Sequence, residues 1–168
     1  MRILGVDPGL DACGYGAIQI DGTGAVSLVE AGLIRTRKTD SLADRLAIVA
    51  RELKRLILQH RPDVLAVEDL YSYYKTPKPS ILMGHVRGVV LGTAASLELS
   101  VSSYLPTRVK RATVGRGHAS KEQIARMVQM RLNLPATRVR ADVTDALAVA
   151  LCHADHLPGR VAAEGVPA

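Results

Sequence analysis

Two short, unbroken apolar runs, Ile3-Leu4-Gly5-Val6 and Val64-Leu65-Ala66-Val67, constrain this chain more than any other feature. Neither alternates with polar residues and neither is long enough for a helix, which leaves strands covered on both faces. Asp7-Pro8-Gly9 stops the first, and the second ends at Glu68 and Asp69. Gly16 to Asp21 and Gly24 to Glu30 flank Gly22-Thr23-Gly24, a hairpin signal, and Gly32 to Arg35 reads as a further short strand. Leu42, Leu46, Val49, Leu53, Leu56 and Ile57 recur every three or four residues. That is an amphipathic helix, capped by Ser41 with Asp44 and ended by His60-Arg61-Pro62.

The pattern then predicts a helix from about Ser80 to Leu97, a strand at Val101–Tyr104 and a short basic helix from Pro106. A loop follows at Gly115-Arg116-Gly117-His118. Ser120 with Gln123 forms a capping box for a helix to about Leu132, and a last helix spans roughly Ala141 to His153. This order implies an α/β domain with a mixed five-stranded sheet flanked by helices, covering residues 1–156, with 157–168 as a flexible C-terminal tail. Within the Ser80–Leu97 helix, Ser80, Gly84, Gly88, Gly92 and Ser96 recur every four residues. Glycine is costly inside a helix, so this ridge predicts close approach of another backbone. The protein's own sheet and a two-fold partner are the two candidates.

Composition narrows the setting. With 168 residues, 48% hydrophobic and 23% charged, the chain is neither a disordered nor a fibrous polymer. Cys13 and Cys152 are its two cysteines, without redox or metal-ligand spacing, so a reducing cytoplasm is expected. No signal peptide is visible, and the longest apolar stretch, Ser80 to Leu99, is broken by His85, Arg87 and Glu98, which excludes a membrane span. The net charge of +6 is unevenly placed: Ser72 to Arg140 holds 12 basic residues and two acidic ones. Such a patch, beside Tyr71, Tyr73 and Tyr74, points to nucleic acid, because cations neutralise phosphates and aromatic rings stack on bases.

Four carboxylates supply the chemistry. Asp7 and Glu68 each follow a buried strand, and parallel neighbours would bring those ends within about 5 Å. Asp142 and Asp145, three residues apart, share one face of the last helix. Convergence of all four would be repulsive unless a cation sat between them, and oxygen-only ligation suits Mg²⁺ or Mn²⁺.

Three segments in this order, Ile3-Leu4-Gly5-Val6-Asp7-Pro8-Gly9 with Gly14-Tyr15-Gly16, Ala66-Val67-Glu68, and Ala141-Asp142-Val143-Thr144-Asp145-Ala146-Leu147-Ala148, resemble the RuvC Holliday-junction resolvases over about residues 1 to 155. The resemblance implies a ribonuclease-H-like fold, a homodimer, and symmetric paired nicking of four-way DNA junctions in recombination and repair. It also implies two Mg²⁺ ions per site, with Mn²⁺ as substitute. Asp7 would bridge the ions, and Glu68, Asp142 and Asp145 would complete the shell; some relatives carry His at the position of Asp142. Tyr71 stands where the family places a base-stacking ring, often Phe. Lys110 and Lys121 match its DNA-contacting positions, and Arg111, Arg116 and Lys75 join them by location. A branch-migration machinery is the implied further partner. Three other readings share part of this pattern. A nuclease of the same fold acting on RNA–DNA hybrid or structured RNA shares the carboxylates. A non-catalytic junction-binding module would not need them. An actin-like ATPase would need two lobes, more than 168 residues can supply.

Overall fold

The computed structural model describes residues 1–70, 77–115, 117, 119–135 and 140–157. Strand β1 (Arg2–Asp7) is central; β2 (Ala12–Ile20) and β3 (Val26–Arg35) follow it as an antiparallel meander. After α1 (Leu42–His60) the chain adds β4 (Val64–Glu68) parallel to β1. Helix α2 (Pro77–Ala95) leads to β5 (Val101–Tyr104), parallel to β4. Helices α3 (Pro106–Val114), α4 (Lys121–Arg131) and α5 (Ala141–Asp155) complete the described chain. The mixed sheet runs β3-β2-β1-β4-β5.

The sheet divides two apolar layers. Leu4, Val6, Leu65 and Val67 point into a core built with α1 and α2, which includes Leu53, Leu56, Val86 and Val90. Ile3, Val64 and Ala66 point the other way, into a core of Ile124, Val128, Leu147 and Leu151 from α4 and α5. This two-sided burial is why both strands read as unbroken apolar runs. Cys13 and Cys152 are buried free thiols in these opposite layers, so the sheet itself keeps them from pairing. Among the described residues no helix is long and apolar enough to cross a membrane.

Local signals act largely as expected. Ser41 accepts from the Asp44 backbone N–H, and Arg61 closes α1 in the left-handed region at φ 46° before Pro62. Both halves of the Ser120/Gln123 capping box form at α4. Three expectations need correction. Gly24–Glu30 and Gly32–Arg35 are not separate strands: an extra residue in β3, Val29, bulges opposite Ala17 and Ile18 of β2 and absorbs the break in alternation, so β3 runs continuously. Helix α2 begins at Pro77 rather than Ser80, since proline fits a first helical turn, and it ends at Ala95. Its glycine ridge does not seat on the protein's own sheet. Val86, Val90 and Ala94 are the side chains that α2 buries. Among the described residues, a β-carbon at Gly88 or Gly92 would meet nothing within 4 Å. Leu157 packs against the core of α4 and α5. The rest of the expected tail, 158–168, lies outside the described residues.

Candidate active site

Period-two alternation carries Asp7 and Glu68 to the α5 side of the sheet. Ile3 and Gly5 of β1 face that layer, and so do Val64 and Ala66 of β4. Parallel pairing sets Val6 opposite Val67, so the two acids close adjacent strands at the carboxyl edge, where ligands gather in α/β sheets.

Helix α5 brings the other pair down onto this edge, and glycine makes room for it. A β-carbon at Gly14 would stand 1.9 Å from the Asp142 carbonyl oxygen, and one at Gly5 would stand 2.1 Å from that of Ala146. Gly14 is the register partner of Asp7. The first turn of α5 therefore rests on backbone beside Asp7, which is what Gly-Tyr-Gly on β2 permits.

Crowding is visible in the electrostatics. Burial, then the charges of Asp145 and Asp142, push Asp7 up to about 7, while Lys121 and a hydrogen bond with Glu68 pull the other way. Glu68 is likewise raised to about 7 by burial, then by Asp7 and Asp145, against Lys110 and Lys121. The Lys121 Nζ sits 3.3 Å from Asp145 Oδ2, and Arg140 Nη2 lies 3.9 Å from Asp142 Oδ2. Among the described residues, no three acidic, histidine or cysteine side chains form a ready-made cage for an ion. The four acids thus share a neighbourhood rather than a closed shell, with an ammonium inserted beside Asp145. Crowded oxygen donors, with Asp7 and Glu68 pushed up by burial and by neighbouring carboxylates, suit a hard divalent cation.

A cleft of about 560 Å³ opens on this edge, with Asp7, Glu68 and Lys110 in its wall and Ser80 and Thr107 from the flanking helices. Lys110 and Lys121 both reach the acids; Arg111 does not line the cleft and stands exposed on the outer side of α3. Tyr71, Lys75 and Arg116 lie outside the described residues. Asp69, next to Glu68 in sequence, also lines the cleft, and it pairs with Arg87 Nη2 at 3.0 Å. Two partnerships were not legible from the sequence: the Lys121–Asp145 pair spans 24 residues, and Thr107 carries no motif.

A family model for crossover junction endodeoxyribonuclease RuvC matches residues 3–153. The chain is 45% identical over 150 residues to the RuvC of Rhodopirellula baltica, a match covering 89% of this chain and 84% of that one. It is 42% identical over 154 residues to that of Alkaliphilus oremlandii, covering 92% and 93%. Among solved structures, T. thermophilus RuvC in complex with Holliday junction substrate is similar with a TM-score of 0.87 at 30% identity, over 96% of both chains.

Proposed function

This chain belongs to the RuvC family of crossover junction endodeoxyribonucleases, and on that premise we propose that it resolves four-way DNA junctions by symmetric paired nicking. The observation that carries the reading is the meeting of Asp7, Glu68, Asp142 and Asp145 at one sheet edge, beside a cleft walled by Lys110.

Asp7, Glu68, Asp142 and Asp145 are the residues that would hold two divalent ions, Mg²⁺ or Mn²⁺. Ions held in that way supply an activated water and stabilise the entering and leaving oxygens of phosphodiester hydrolysis. Lys110 and Lys121 draw phosphates toward the cleft without reading sequence. Lys121 has a second part: its ammonium balances Asp145 when no other cation does. Tyr71 is assigned the stacking of an unpaired base at the opened junction, and Arg111, Arg116 and Lys75 further phosphate contacts.

Two opposed strands must be cut alike, so the active species is a homodimer whose two-fold axis matches that of the junction. The solvent-facing ridge of Gly88 and Gly92 on α2, flanked by exposed Ile81, supports placing the dimer contact there. The cellular setting is cytoplasmic, with a branch-migration machinery as partner.

Synthetic four-way junctions, linear duplex and RNA–DNA hybrid, each incubated with Mg²⁺, Mn²⁺ or chelator, test the proposal. Paired nicks in the junction alone, abolished by chelator, are expected. Preferential cutting of the hybrid would favour the ribonuclease alternative, and junction binding without nicking would favour a non-catalytic module.

A further inference from the structure

The outer side of α3 carries a second groove, of about 430 Å³, lined by Thr107, Arg108, Arg111, Ala112 and His156. None of the described residues lining it is acidic, and α3 itself carries no acidic residue. Arg108 and Arg111 are three residues apart, on one helix face, where like charges cost stability rather than add it.

Arg108 is held in place by neutral groups. The His156 Nδ1–H donates to the Cys152 carbonyl at 2.6 Å, leaving Nε2 to accept from Arg108 Nε–H at 3.0 Å. The guanidinium also lies 5.8 Å from the centre of the Tyr104 ring. Tyr104 is anchored in turn, donating its hydroxyl hydrogen to His153 Nδ1 at 2.7 Å. Among the described residues, the partners of Arg108 are thus a histidine lone pair and an aromatic face. Its outer N–H groups keep their full charge for an anion, and the planar fork is fixed before any ligand arrives.

Thr107 lines both this groove and the cleft of Asp7 and Glu68. At about 100° per residue, Lys110 stands about 60° to one side of Thr107, while Arg111 and Arg108 stand about 40° and 100° to the other. A continuous basic track therefore crosses the helix from the carboxylates to the groove. The helix is about 10–12 Å across, which is roughly three nucleotides of axial rise.

We propose that this groove is a second phosphate-binding site, taking the phosphodiester backbone of the cut strand about three nucleotides from the scissile bond, with His156 and Tyr104 as positioning residues for Arg108. The assignment rests on the junction-nuclease reading above. Neutralising a contacted phosphate removes the pull of both guanidinium groups at once, so the site fixes where the strand leaves the cleft and carries no base readout.

The test is junction binding without divalent ion, so that the DNA stays intact, measured against salt and by phosphate-ethylation interference. In the parent protein, ethylation of a phosphate about three nucleotides from the cleavage position should weaken binding. Arg108→Gln with Arg111→Gln should abolish that interference and make the slope of log affinity against log salt shallower by about 1 to 2. Arg108→Lys with Arg111→Lys, which keeps the charge, should retain the parent slope. Arg111→Gln alone, at an exposed position, reads a loss of about 0.9 in slope if the double variant does not fold. His156→Ala should weaken binding several-fold with the slope intact, because both charges remain; unchanged affinity would remove the positioning role. Junction binding by the double Gln variant with the parent slope and interference pattern would overturn the groove while leaving the proposed function standing. A parent protein that binds no four-way junction would overturn both.

Discussion

Asp7 feels Asp145, Asp142, Lys121 and Glu68 at once. Asp7→Asn should therefore lower junction cleavage by at least about 100- to 1,000-fold, the usual cost of losing one preorganised electrostatic group, while junction binding persists in a gel-shift assay. Retained metal-dependent nicking in a clean preparation would count against this. A second prediction concerns pH. Asp7 and Glu68 are raised to about 7 in the fold, from the ordinary carboxylate range of the unfolded chain. Their protonated forms are thus favoured on folding, a contribution fully present below the unfolded values and lost as pH rises through about 7. Metal-free protein should melt lower at pH 8 than at pH 5.5, and added Mg²⁺ should raise the melting temperature more at pH 8. An Mg²⁺ response equal at both values would contradict the raised pair. The two strand-end acids were legible in the sequence because an apolar run closed by a carboxylate has little other use. The counter-ion of Asp145 was not, because only the packing of α4 beside α5 brings Lys121 to it.

At the scale of elements, the site depends on how low α5 sits on the sheet. Gly14→Ala would drive a methyl group into the Asp142 carbonyl. A clash with backbone cannot be relieved by a rotamer change, so α5 must lift. A loss of about 3 kcal/mol in stability, read by denaturant unfolding, should accompany a loss of cleavage larger than the fall in folded fraction explains. Cleavage tracking the folded fraction alone would show that helix height does not set the site. The strand and helix order and both caps were readable from local patterns, since unbroken apolar runs mark β1 and β4 and the caps and helices rest on neighbours within four residues. The start of α2 and the unity of β3 were not. A proline-containing first turn reads as loop, and a bulge shifts alternation by one residue without breaking the ladder.

Across the whole molecule, the two faces of the sheet carry different features. The α5 face holds the acids, and the α1–α2 face presents a glycine ridge outward. Ridge and spacing were plain in the sequence, but which way they faced depended on Val86, Val90 and Ala94 taking the core side. Gly88→Leu should give monomers by light scattering with the melting temperature nearly unchanged, because among the described residues its β-carbon meets nothing within 4 Å. A persistent dimer would move the contact elsewhere. On the proposed function, Asp7, Glu68, Asp142 and Asp145 together bind the ions of a nuclease. Anomalous scattering from a manganese-soaked crystal tests it most directly. Peaks enclosed by these four carboxylates, with Lys121 displaced from Asp145, are expected. Manganese bound only elsewhere, with the Lys121–Asp145 pair intact, would contradict it.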